Sequence, residues 1–220
     1  MAETDEEQIE AIKTWWKENG KALVFTFVFV LGSVFLYRVW QGQVLEHAEK
    51  ASALYEDMTL VVGEEIHSLS VETIESTRAI GNRLKIDFSD TTYAFLGALH
   101  MAKIGVEMGD LESAETELRW MLENDVDAAL QPIVQMRLAS IVAAQGRPED
   151  ALLLVYEHQD QDLAAHASSW YEMRGDIFYQ LNDIEKAREA YQIAIDASSG
   201  EPPDRMLLAK LQDITFVKPE

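Results

Sequence analysis

The sequence predicts an all-α protein: a single N-terminal transmembrane helix, then an α-solenoid of about three to four helical hairpins closed by a C-terminal capping helix. Three observations carry this. Residues 21–40 read KALVFTFVFVLGSVFLYRVW, a long apolar run in an otherwise acidic chain. Three later segments align at near-constant spacing, beginning EMGDLESAETEL, AQGRPEDALLLV and QLNDIEKAREAY. Nowhere does the alternating pattern of a strand or a low-complexity tract appear.

The apolar run comes first. Residues 22–37 carry no charge, and Val39 and Trp40 resume after Arg38. A helix rises about 1.5 Å per residue, so the uncharged part covers about 24 Å and the run to Trp40 about 28 Å, against a hydrocarbon core of about 30 Å. Arg38 can bend its stem toward headgroups. Trp15, Trp16, Tyr37 and Trp40 bracket the ends, where amphipathic rings prefer to sit. A core helix would show a polar face, and this run has none. The residues following it, LYRVWQGQ, are too bulky for signal cleavage, and Ala51, Ser52 and Ala53 lie too far downstream. The run therefore reads as a retained anchor. Lys13, Lys17 and Lys21 precede it, whereas Arg38 and the more distant Lys50 follow, which favours a cytoplasmic N-terminus and an exported C-terminal domain. Gly32 and Ser33 would admit a neighbouring helix, but no second small residue stands four positions away.

The repeats occupy residues 93–200. Gly109, Gly146 and Asn182 each stand five positions before an alanine, namely Ala114, Ala151 and Ala187. Glycine or asparagine tolerates the positive φ that closes a helix. Asp110 and Asp183 suit the cap of the following helix, and Pro148 suits its first turn. The alanines belong where two antiparallel helices approach most closely. The last unit, YEMRGDIFYQLNDIEKAREAYQIAI, is the clearest. It resembles the tetratricopeptide repeat, with Gly175, Ala187 and Ala194 on that pattern's three small positions and Phe178 and Tyr191 between. The middle unit offers Ala139, Ala151 and His158, and the first Ala102, Ala114 and Met121. The spacing of 36 to 37 residues exceeds the 34 of that repeat.

Before the repeats, residues 44–61 and 71–84 read as helices joined near Gly63, Ser68 and Ser70, forming a divergent opening hairpin over residues 41–92. After them, Pro202 and Pro203 interrupt the chain. DRMLLAKLQDIT then places Leu207, Leu208, Leu211 and Ile214 on one helical face, as a capping helix within residues 201–220.

Eighteen Lys and Arg stand against thirty-nine Asp and Glu in the 220 residues, a net charge of −21. Beyond Trp40, fourteen cations face thirty-three anions. Such a surface repels phosphate backbones, so nucleic acid is excluded as a partner. With no cysteine, disulfides, thiolate metal sites and thiol nucleophiles are ruled out.

The stretch QIEAIKTWWKENGKAL, with Ile9, Ile12, Lys13, Trp15, Trp16, Glu18, Asn19, Gly20 and Lys21, resembles the opening of the YfgM family, ancillary subunits of the bacterial Sec translocon. TTYAFLGALHMAKIGVEMGDLESAETEL carries the likeness into the repeats. The resemblance implies a cytoplasmic segment over residues 1–20, one membrane helix and a periplasmic tetratricopeptide-like domain. It further implies a partner of SecYEG and of the membrane-anchored chaperone PpiD, acting on newly exported client proteins. An alternative on the same architecture is a tethered scaffold for another envelope assembly or cytochrome maturation system.

Catalysis is not expected. The five histidines are scattered; Glu64 and His67 lack the second Glu-x-x-His pair of a carboxylate-bridged metal bundle. Asp160 and Asp162 lack the glycine and terminal glutamate of a calcium loop. No nucleophile elbow or P-loop occurs. Neither a metal nor a cofactor is expected. What the repeats do offer is a concave surface lined by the first helix of each hairpin. Leu99, Lys103, Met136, Ser140, Glu172, Asp176 and Tyr179 fall on it, as a groove for a partner segment. The alternative is that some of them, Leu99 and Met136 above all, are buried against the opening hairpin or the capping helix.

Overall fold

The computed structural model describes residues 5–62, 70–156, 166–198 and 204–215. The expectations at Gly63, Ser68, Glu64, His67, His158, Asp160, Asp162, Pro202 and Pro203 lie outside them. Among the described residues there are nine helices and no strand.

Helix α1 (Asp5–Val62) begins the chain. The residues up to Lys50 form one compact unit and those from Ala51 a second. In the first, the side chains of the apolar run are exposed, Phe25, Phe29, Phe35 and Leu36 among them. The described helix includes a segment long and apolar enough to cross a membrane. The sequence alone suggested an anchor and then a separate helix from Val44. A single helix is found instead, because Gly42 alone, costing about 1 kcal/mol against alanine, does not end a helix without a cap or proline beside it.

The second unit contains the last turns of α1, then α2 (Val71–Asp87) and three hairpins: α3 (Thr92–Glu107) with α4 (Leu111–Glu123), α5 (Gln131–Ala144) with α6 (Pro148–Tyr156), and α7 (Ala167–Gln180) with α8 (Ile184–Asp196). Helix α9 (Arg205–Thr215) closes it. The small positions are where the helices meet: Ala102, Ala114, Met121, Ala139, Ala151, Ala187 and Ala194 are all buried.

Each hairpin turns in the same way. The N–H groups of Asp110, Arg147 and Asp183 donate to the carbonyls of Gly105, Val142 and Phe178, while those of Gly109, Gly146 and Asn182 donate to Val106, Ala143 and Tyr179. This six-to-one, five-to-two pair satisfies carbonyls that the helix end leaves open, and it needs a left-handed residue at its apex. Gly109, Gly146 and Asn182 supply it at φ of 76°, 79° and 59°. Asp110 and Asp183 then accept from the N–H groups of Ser113 and Lys186, and Pro148 opens α6. Asn182 carries the strain that glycine avoids. Gly146→Ala is therefore expected to lower stability by about 1 kcal/mol, while Asn182→Gly leaves it level or higher. Urea unfolding of the full-length protein followed by circular dichroism measures both.

The core passes from hairpin to hairpin in three overlapping clusters. The first joins Ala51 and Met58 of α1 to Leu84 of α2 and to Ala94, Met101 and Ile104 of α3. The second runs from Ala98 through Leu118, Met121, Leu138 and Val155 to Trp170 and Ile177. The third joins Phe178, Tyr191 and Ala194 to Leu207 and Ile214 of α9. Leu207 and Ile214 are buried and Leu208 and Leu211 half-buried, so α9 covers the open end of the array.

Candidate protein-binding groove

Helix α3 places Leu96, Leu99, His100, Lys103 and Val106 on one stripe, because residues three and four apart share a helical face. Helix α5 offers Met136, Arg137, Ser140 and Ile141 beside them, and α7 adds Ser169 and Met173. Together with Tyr55 from the end of α1 they line an open groove of about 670 Å³. Ala102 and Leu118 form part of its lining, and both are buried. Small side chains on the crossing positions let α3 and α4 approach, which leaves the larger neighbours on α3 directed outward.

At one end the Tyr55 hydroxyl and His100 Nε2 stand 2.9 Å apart, with their rings 5.5 Å between centroids and tilted by 53°. The Tyr93 ring also packs on Tyr55, with 5.8 Å between centroids. Burial, and then the nearby Lys103 ammonium, hold His100 below its ordinary value of 6.5, and burial pushes the Tyr55 phenol up. The unfolded chain thus takes a proton on this imidazole near pH 6.5, while the folded chain takes it only at lower pH. The stabilisation from neutral His100 is complete above about pH 6.5 and falls away on acidification. The melting-temperature difference between the wild type and His100→Gln is expected to be larger at pH 7 than at pH 5. An unchanging difference would contradict it.

Four of the seven residues expected on the concave surface, Leu99, Lys103, Met136 and Ser140, share this groove. Leu99 and Met136 are half-buried, with their inner parts against the core, and line the groove with the remainder. Glu172 and Asp176 do not line it. The Lys210 ammonium of α9 donates to both carboxylates at 2.8 Å, and the Tyr191 hydroxyl donates to Asp176 at 2.8 Å. Burial opposes the Lys210 charge, but those two hydrogen bonds outweigh it and raise its pKa; burial and Asp176 together push the Tyr191 phenol far above its usual range. Of the expected concave residues, the capping helix therefore meets Glu172 and Asp176. Tyr179 stands exposed outside the groove.

Sequence reasoning missed His100, Arg137 and Met173. They fall two residues before the small positions Ala102, Ala139 and Gly175, so the repeat frame itself could have shown them. It also missed Tyr55, which no periodicity links to α3. Among the described residues no group of three His, Asp or Glu is placed to hold a metal ion.

A family model described as a tetratricopeptide repeat-like domain matches residues 13–216. Among curated proteins, the chain is 30% identical over 210 residues to the ancillary SecYEG translocon subunit of Aggregatibacter actinomycetemcomitans, covering 96% of this chain and 97% of that protein. The chain belongs to the YfgM family. Two further YfgM-family relatives carry the same name. That of Haemophilus influenzae is 27% identical over 210 residues, covering 96% and 97% of the two chains. That of Escherichia coli is 24% identical over 214 residues, covering 97% and 98%. The family-model match runs from before the apolar run to the capping helix, so it takes in the apolar part of α1 as well as the repeats.

Proposed function

We propose that this chain is a non-catalytic subunit of the Sec translocon, anchored in the inner membrane by the apolar part of α1. Its N-terminus lies in the cytoplasm and its repeat domain in the periplasm. There it docks a PpiD-type chaperone and assists newly exported proteins by holding partner segments on its concave face. The observation that carries this is the open groove across α3, α5 and α7, on the surface that helical arrays use to bind polypeptides. The names of the relatives supply the Sec channel as the partner. The excess of Lys13, Lys17 and Lys21 over Arg38 and Lys50 supports the orientation.

Mild detergent solubilisation followed by affinity capture tests the assignment. The channel subunits and a PpiD-type chaperone are expected in the eluate. Recovery of cell-wall or haem-maturation proteins in their place would overturn it. Reporter fusions at the two ends test the orientation, with periplasmic activity expected only at the C-terminus.

A further inference from the structure

We infer that the groove takes a peptide segment in which large apolar side chains are interspersed with carboxylates, and that this acidic, apolar segment is held over the first two hairpins. The inference deepens the function proposed above and rests on it. Leu99, Val106, Met136 and Ile141 supply apolar lining, and Lys103 and Arg137 supply charge beside it. Both cationic side chains are exposed, on α3 and α5 respectively. Arg137 makes no ion pair with any described residue. Among the described residues Lys103 forms an ion pair only with Glu107, at 3.6 Å and one helical turn away.

This is the reverse of the protein's overall charge, and the rest of the concave face explains why the local sign decides. The carboxylates that would have drawn a basic segment, Glu172 and Asp176, share Lys210, which offsets one of their two charges and ties both to α9. On the third hairpin α9 thus engages these two acids from within, while Ser169 and Met173 of α7 still line the groove. Among the described residues, the groove lining carries Lys103 and Arg137 against Glu107, which pairs with Lys103. At physiological ionic strength fields decay within about 8 Å, so a bound segment senses Lys103 and Arg137 rather than carboxylates across the molecule. Apolar burial supplies the attraction, and the two cations select the sign of charge beside the apolar side chains.

The test uses the full-length protein in lipid nanodiscs and a pair of fluorescent peptides. One carries leucine and phenylalanine spaced by glutamate; the other is the same peptide with lysine for every glutamate. Fluorescence anisotropy is expected to show the glutamate peptide binding about tenfold or more tightly than its lysine counterpart, weakening as salt rises. K103E/R137E should invert the preference, and K103Q/R137Q should abolish it. Both pairs replace exposed side chains, and circular dichroism checks that they fold. Equal binding of the two peptides, tighter binding of the lysine form, or no binding of either overturns the inference. So does displacement of the glutamate peptide by decanoate at concentrations that saturate the groove, which would make it a site for anionic amphiphiles. Detergent capture tests the translocon assignment separately. If K103E/R137E still recovers the channel while the peptides show no preference, only the present inference fails. If the wild type recovers no channel while the glutamate peptide binds as expected, only the translocon assignment fails.

Discussion

Gly175→Val is expected to unfold the last hairpin. A Cβ at Gly175 would stand 2.4 Å from both Cδ1 and Cε1 of Tyr191, far inside van der Waals contact. The ring has nowhere to go: Tyr191 is buried between α7, α8 and α9, and its hydroxyl donates to Asp176, which also receives Lys210. Relief by rotation breaks that network, and relief by helix separation opens the core around Phe178, Ala187 and Ala194. Overpacking of this kind costs typically 1–3 kcal/mol, and here, with a hydrogen-bonded ring displaced as well, about 3 kcal/mol or more. That corresponds to a fall of about 6–12 °C in melting temperature for a protein of this size. Thermal scans by circular dichroism read it directly. A shift of a degree or less would mean that α7 and α8 are not in contact as described.

Lys85→Met should be comparably damaging for a different reason. The Lys85 ammonium donates to both oxygens of Glu117 at 2.7 Å, with the two side chains only 12% and 7% exposed, and lies 5.7 Å from the Trp120 ring. This pair links α2 to α4. Removing the lysine leaves a buried carboxylate uncompensated, which costs about 3–5 kcal/mol, whereas replacing both partners with apolar residues is often neutral. The double variant Lys85→Met/Glu117→Leu is therefore expected to recover most of the loss. A double-mutant cycle in urea measures the coupling. If the double variant were no more stable than the single one, the pair would be holding the helices by shape alone.

Much of the architecture was legible before any coordinates. The turns at Gly109, Gly146 and Asn182 follow from local chemistry, since few residues tolerate the left-handed backbone. The caps at Asp110 and Asp183 follow from the orphan N–H groups of a helix start. The anchor follows from length and from the absence of a polar face. The turn before α5 was less legible. Asp125 adopts a φ of 56° there, and the Asp127 side chain accepts from the Ala129 N–H, in a stretch with no glycine to mark it. The concave surface was half legible: helical spacing found Leu99, Lys103, Met136 and Ser140, but it also offered Glu172 and Asp176, which α9 has taken.

The sequence by itself determined which segments are helical, where they reverse and which faces are apolar, because each of those properties depends on neighbours within a turn or two. Only the tertiary structure decided which parts of the concave face stay open. Lys210 meets Glu172 and Asp176, Tyr55 meets His100, and Lys85 meets Glu117 across separations of more than thirty residues. Such pairings are set by how helices stack in space, and a single chain's local pattern carries no trace of them.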